Sequence, residues 1–433
     1  GMIEVGALCL LALQASTSAT THHDNHRVPA LERVFGSREE YWNGGFPSGW
    51  FGSNMLAKEN SSQVAEIGKY KMANLGWQHE IWPSNFSHLA QTQISQLQAI
   101  KKAHPSLPLF LYLPAAFAPC IYSALESIVK DPSVYKQSGG KYHNWFLQST
   151  GQQERPSPGP LFTRGFCTDV KANVSKQNCY AAYWNYANPE ARQYILRELI
   201  EPLLLEQGFD GIFFDTVDYT LDQFPQFNIT NIAGDPGQQC ETFWSGMLEW
   251  QSELVKMLAA KGEGGRALLP MLSVVQDKVN FFEANEKAYL NERRMVDKMG
   301  TGGWVRYYEF VRGETAYQVL ENMKVEAKMG IPVVMHVYMN SADEDLTTHI
   351  ALFLIVRGDY FFFMASTGWF DDDWHWNQAY DREYGRPLAP PRTFVPPDGE
   401  GGIGWTRNYT HCDVTLLCEH ANATGCVGSI DFK

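Results

Sequence analysis

Residues 208–220 read GFDGIFFDTVDYT. Three apolar residues, Ile212, Phe213 and Phe214, run straight into Asp215, and Asp218 follows. A β-branched and aromatic run of this length favours a strand. A carboxylate packed among apolar side chains is costly unless it is paired or used in chemistry. The conflict is resolved if the strand ends at an open functional face. In parallel barrels that face is the one at the C-terminal ends of the strands.

Outward from this stretch, further short apolar runs recur with helical segments between them. Strands are predicted over Trp50–Ser53, Met72–Trp77, Pro108–Leu113, Gly211–Asp215, Ala267–Val275, Trp304–Phe310, Pro332–Val337 and Tyr360–Met364. Most are apolar on both faces, the pattern of strands buried on both sides in a parallel sheet. Helices are predicted over Thr92–Ala103, Pro189–Leu205, Glu241–Ala260, Thr315–Lys328 and Asp343–Val356. Asn188 before Pro189 is a natural N-cap followed by proline at the first helical position. Eight strands interleaved with helices predict a (β/α)8 TIM barrel, an α/β fold. A doubly wound open sheet is the alternative, but no Gly-rich phosphate loop follows the first strand.

The expected organisation is a signal peptide over 1–19, a barrel over 30–385, and a Pro/Gly connector with a small C-terminal β-rich appendage over 386–433. The connector is marked by RPLAPPRTFVPPDGEGG at Arg386–Gly402.

Polar residues at the strand ends are the candidates for chemistry. The fourth strand ends in Asp215, with Thr216 and Asp218 behind it; the sixth, WVRYYEF, carries Glu309; the seventh carries His336 and Tyr338. The second offers Gln78, His79 and Glu80, the third Tyr112, and the fifth Ser273, Gln276 and Asp277. Two acids on different strands facing one mouth suit glycosidic hydrolysis: one protonates the leaving oxygen, the other attacks the anomeric carbon or activates water. The bland alternatives are a turn-capping role for Asp215 and an ion pair of Glu309 with Arg306 or Arg312. Asp210, at the opposite end of the fourth strand, reads as structural.

The run WFDDDWHWNQAY (Trp369–Tyr380) after the eighth strand is expected to loop over the mouth. Trp369, Trp374 and Trp376 are candidates for stacking on sugar rings, against the reading that they pack on neighbouring loops. Asp218, Tyr219, His336, Tyr338 and Tyr112 complete the expected substrate-binding set. Asp371–Asp373 carries oxygen ligands suited to Ca²⁺, but a solvated acidic turn is the preferred reading. HExxH, GxSxG and P-loop patterns are absent from the sequence, so no metal or organic cofactor is expected.

The 433 residues carry 48 acids against 35 bases, a formal net charge of −13. That balance argues against a nucleic-acid partner or an anionic membrane surface. An apolar run from Val5 to Leu13 followed by small residues to Ala19 resembles a secretory signal, though Glu4 replaces the usual basic start. No stretch is long and clean enough to span a bilayer. Sequons at Asn60, Asn85, Asn173, Asn228, Asn408 and Asn422 predict N-linked glycans. Beyond Cys9, seven cysteines are spread without a CxxC pair, which favours disulfides over zinc. Cys167 with Cys179 forms one candidate loop, and the group Cys412, Cys418 and Cys426 is expected to contain another bridge. The chain is therefore expected to be secreted.

GFDGIFFDTVDY closely resembles the strand-four motif of polygalactosaminidase-like and related glycoside hydrolases with (β/α)8 barrels. The order of NWFLQSTGQ, YWNYANPEARQYILREL, YYEF and DEDLTTHIALFLIVRGDYFFF around it is similar, as are the tail segments YGRPLAPP and WTRNYTHCDVTLL. The resemblance implies a barrel glycosidase with Asp215 as one catalytic acid and Glu309 as the other. It covers roughly Trp50–Phe432 and is patchy before the third strand. The chain departs from the family at the end of the fifth strand, where Ser273 and Gln276 stand in place of an Asn. The loops with Cys120 and Cys240 are particular to this chain.

The expectation is a secreted glycoside hydrolase acting on an oligo- or polysaccharide through two carboxylates. The rival class is a non-catalytic glycan-binding or extracellular-matrix protein on a degenerate barrel. It predicts carboxylates that do not face one another.

Overall fold

The computed structural model describes residues 29–52, 60–76, 89–119, 128, 141–142, 144–149, 159–160, 162–163, 181–202, 209–215, 217, 229–260, 269–274, 294–301, 303–311, 316–368, 373–396, 402–418 and 425–433. Eight parallel strands form one sheet in sequential order: β1 (Gly49–Gly52), β2 (Met72–Leu75), β3 (Leu109–Pro114), β4 (Gly211–Asp215), β5 (Leu269–Val274), β6 (Val305–Val311), β7 (Val333–Tyr338) and β8 (Phe362–Ser366). The first and last strands meet through a bridge between Ser48 and Phe363, with Phe363 N–H donating to Pro47 O at 2.9 Å. The sheet is thus a nearly closed barrel.

Side-chain alternation decides what each strand presents. Phe51, Tyr112, Phe213 and Tyr307 point inward and meet edge to face or tilted: Phe51–Phe213 at 5.4 Å, Tyr112–Phe213 at 5.7 Å and Phe213–Tyr307 at 4.7 Å. Their neighbours along the strands face the helices. Phe214 meets Trp250 of the helix Pro236–Ala259 at 5.5 Å. Each such buried aromatic contributes about 1.5–3 kcal/mol relative to exposure. Phe35, at the end of the helix Pro29–Phe35, packs on Phe110 and Phe362 and closes the N-terminal end. Gly49 allows the closing strands to approach, because a Cβ there would lie 2.5 Å from Met364 Cε.

All eight expected strands are present, with ends shifted by a residue or two. The helices depart more. The segment from Asp343 is not helical until Thr347: Asp345, one residue before the N-cap Leu346, accepts from Thr347 N and Oγ1 at 2.9 and 2.7 Å in a local turn that delays the helix Thr347–Val356. The helix expected at Glu241 begins at Pro236, because Asp235 and Gln238 form a reciprocal capping box there. From Pro189 the helix is α to Tyr194 and then π-helical over Ile195–Ile200.

A four-stranded antiparallel sheet follows: β9 (Arg392–Phe394), β10 (Ile403–Asn408), β11 (Cys412–Cys418) and β12 (Cys426–Phe432). It packs on the helix Thr347–Val356, which explains why that helix, TTHIALFLIV, is apolar all round. Arg407 Nη1 donates to the carbonyls of Leu354, Ile355 and Arg357, the orphan acceptors at that helix's end. Within the expected cysteine group, Cys418 bonds to Cys426, and Cys412 is a buried thiol pushed up to about 11 by burial.

Asn60 and Asn408 are exposed. The expected signal segment, the sequons at Asn85, Asn173, Asn228 and Asn422, and Cys120, Cys167 and Cys179 lie outside the described residues. Among the described residues, no helix is long and apolar enough to cross a membrane.

Candidate active site

Asp215 is the last residue of β4 and shares the inward parity of Phe213. It is half-buried, and its Oδ2 accepts a 2.7 Å hydrogen bond from the Tyr112 hydroxyl on β3. Asp210, at the other end of the strand, pairs with Lys101 at 2.7 Å and accepts from Leu109 N, as its structural reading requires.

Glu309 lies near the end of β6 and is 8% exposed. Between the paired positions Tyr308/Met335 and Val311/Val337 the register of β6 on β7 shifts, so an extra residue is accommodated around Glu309 and Phe310. Such bulges re-aim side chains next to sites. Arg306 lies 3.7 Å from Glu326, where the Tyr308 hydroxyl also donates to Glu326 Oε1 at 2.6 Å.

Tyr307 stands at the level of Asp215 and two residues before Glu309. Burial drives its phenol well above the ordinary range, and the charges of Glu309, Tyr338 and Asp215 push in the same direction. The Tyr307 hydroxyl is 2.9 Å from His336 Nδ1; His336 Nε2 is 2.8 Å from Ser366 Oγ; and Ser366 Oγ donates to Gly368 O at 2.7 Å. His336 is fully buried, and burial pushes it down to about 3. It is neutral at ordinary pH.

His336 and Trp374 therefore differ from expectation. The Trp374 ring stacks on the His336 ring at 5.2 Å and 19°, and lies 6.5 Å from the Phe51 ring. It is 4% exposed, so it covers His336 and offers no open face to a sugar. His336, beneath it, has no surface for substrate to touch. Trp376 packs on Tyr70 and Tyr380 at 5.2 and 5.4 Å, away from the mouth. The apolar cost of exposing indole rings is avoided by burying them against neighbouring aromatics. Tyr112 is likewise buried and reaches the site through Asp215. Tyr338 is partly exposed, its ring 4.8 Å from that of His336.

Asp218, Tyr219, Trp369, Thr216, Gln78, His79, Glu80, Gln276, Asp277 and Arg312 lie outside the described residues. So do Asp371 and Asp372; Asp373 Oδ1 accepts from the Thr367 hydroxyl at 3.0 Å. Among the described residues, no group of three or more His, Cys, Asp or Glu side chains is placed to hold a metal ion.

Three lumen residues were not among the sequence candidates: Tyr307 and Asn74, which lie within strands, and Ser366, which lies two residues past the expected end of the eighth strand at Met364. Alternation from Glu309 places Tyr307 on the same face, a signal that was present in WVRYYEF. Asn74, on β2, is fully buried with neither end of its amide hydrogen-bonded.

The hypothetical glycosyl hydrolase family 15 matches residues 134–413. The chain belongs to that family, and it is a glycoside hydrolase. No curated protein matches it in sequence. Among solved structures it is similar to the glycoside hydrolase domain of PelA from Pseudomonas aeruginosa, at 13% identity over 74% of this chain and 95% of that one, with a TM-score of 0.38. It is similar to the PgaB (BpsB) glycoside hydrolase domain from Bordetella bronchiseptica at 11% identity, over 71% and 88%, with a TM-score of 0.38. Amy13B of Eubacterium rectale shares 9% identity over 88% and 89%, with a TM-score of 0.44.

Proposed function

We propose that this member of the hypothetical glycosyl hydrolase family 15 cleaves O-glycosidic bonds of an oligo- or polysaccharide outside the cell, using Asp215 and Glu309 as its two carboxylates. The observation that carries this reading is the place of the two acids in the barrel: Asp215 is the last residue of β4, on the lumen face, and Glu309 lies near the end of β6, towards the same face of the sheet. The two environments divide the roles. Asp215 accepts a hydrogen bond from Tyr112, which favours an ionised carboxylate and suits a nucleophile or base. Glu309 is nearly excluded from water, and in this reading it protonates the leaving oxygen. Asp218, Tyr219 and Trp369 remain proposed substrate contacts from the loops after β4 and β8, together with the partly exposed Tyr338. Extracellular action fits the Cys418–Cys426 disulfide and the exposed sequons Asn60 and Asn408.

The test is reducing-end release across galactosamine polymers, β-glucans and α-glucans, by the wild type and by Asp215→Asn and Glu309→Gln. Loss in both variants, with folding intact, supports the reading and names the substrate class. Activity that survives both places the acids elsewhere.

A further inference from the structure

The bulge that carries Glu309 has a single residue opposite it. β6 and β7 pair regularly from Arg306/Val333 to Tyr308/Met335 and pair again at Val311/Val337. Between these points β6 has Glu309 and Phe310, and β7 has only His336. The extra residue reverses the alternation of side chains. Tyr307, level with Val334, stands in the lumen, whereas Val311, level with Val337, falls on the helix side. The direction of Glu309 is therefore set by where the extra residue sits. A bulge placed earlier on β6 would turn Glu309 to the helix side, as this one turns Val311.

His336 is tied at this point by its side chain. Its Nδ1 lies 2.9 Å from the Tyr307 hydroxyl, across the same strand pair and two residues before Glu309. Its Nε2 lies 2.8 Å from Ser366 Oγ on β8, and Ser366 donates to Gly368 O at 2.7 Å. The Gly368 carbonyl can only accept, so the single Ser366 proton points to it and His336 Nε2–H donates to Ser366. The neutral imidazole then accepts from Tyr307 at Nδ1. Tyr307, His336 and Ser366 are all fully buried, and the Trp374 ring lies on the imidazole at 5.2 Å.

We propose that His336, tied to Tyr307 and Ser366, is a positioning residue that fixes the bulge of β6 and so aims the Glu309 carboxyl at the glycosidic oxygen. This inference rests on the reading of Glu309 as the acid. The Tyr307–His336 bond crosses the strand pair whose register slips, immediately before the slip, so it opposes movement of the extra residue back toward Tyr307. Ser366 fixes the other side of the imidazole to β8, so the residue opposite the bulge is held from two strands. On the outer face the neighbouring Tyr308 donates to Glu326 at 2.6 Å, a bond that holds β6 to the helix Ala316–Met329.

Leaving-group dependence tests this. The substrates are the glycan that the wild type cleaves among galactosamine polymers, β-glucans and α-glucans, and a dinitrophenyl glycoside of its sugar, whose leaving group needs no proton. Tyr307→Phe keeps the ring and removes only the tie. It should lower kcat/KM on the glycan about 10- to 100-fold and leave the aryl glycoside within about threefold. His336→Gln, whose amide can accept from Tyr307 and donate to Ser366, should lose less on the glycan than His336→Leu. Tyr308→Phe, on the outer face, should leave the ratio of the two substrates unchanged. Crystal structures of the wild type and Tyr307→Phe read the same claim without activity: the bulge or the direction of the Glu309 carboxyl should differ between them. A purely structural role would lower kcat/KM equally on both substrates, and that result overturns the proposal. So does a Tyr307→Phe structure with bulge and carboxyl unmoved, or a ratio that Tyr308→Phe shifts as far. Failure of the catalytic reading looks different: Glu309→Gln keeps its activity on the glycan while the Tyr307→Phe structure still shows the carboxyl redirected.

Discussion

The hydroxyl of Tyr112, on β3, donates a 2.7 Å hydrogen bond to Asp215 Oδ2, on the neighbouring β4. The register puts Tyr112 opposite Phe213, two residues before the acid, so the phenol reaches along the lumen to it. A hydrogen bond to a charged group contributes about 1.5–3 kcal/mol. Tyr112→Phe removes only the hydroxyl. It should lower kcat about 10- to 100-fold with KM little changed. Steady-state kinetics on the cleaved glycan check this; a change confined to KM would place Tyr112 in substrate binding.

His336 makes stability fall in acid. Its folded-state value is about 3 against an ordinary 6.5. Between those values the unfolded chain binds a proton that the folded chain does not. Its contribution is therefore complete above about pH 6.5 and is lost as pH falls toward 3, by about 1.4 kcal/mol per pH unit. Urea midpoints at pH 7 and pH 5 should differ less in His336→Gln than in the wild type. An equal difference in both would mean that the histidine is not buried neutral.

Trp374 should behave as core. It covers His336 and lies beside Trp50 and Phe51. Trp374→Ala should cost about 3–5 kcal/mol of stability, measured by chemical unfolding. A sugar platform would give the opposite pattern, a raised KM with stability unmoved.

On the outer side of β6, Glu326 joins Arg306 and Tyr308 in a buried cluster. Removing one partner leaves the other charge buried. Glu326→Ala should therefore destabilise by about 3–5 kcal/mol. The enzyme that remains folded should keep its kcat within about twofold, because this face points to the helix Ala316–Met329 and away from the mouth.

The barrel was legible because its strands are apolar on both faces, and only burial on both sides explains runs such as GIFFD and PVVMHVY. Asp215 and Glu309 were legible as acids that interrupt such runs. The burial of Trp374 was not, since a Trp-rich loop gives no sign of whether it folds inward. The relay from Tyr307 to Ser366 spans β6, β7 and β8, so no local pattern carries it. Helix starts failed where Asp235 caps the backbone earlier than apolar periodicity suggests, and where Asp345 bonds Thr347 in a local turn and delays the start.

The most direct test of the two-carboxylate account compares Asp215→Asn and Glu309→Gln on the natural glycan and on an aryl glycoside of the same sugar. An aryl leaving group of low pKa needs no protonation. The account predicts that Glu309→Gln loses kcat/KM on the glycan and keeps most of its kcat/KM on the aryl glycoside, whereas Asp215→Asn loses both. Equal losses on both substrates in Glu309→Gln, or full activity in Asp215→Asn, would contradict it.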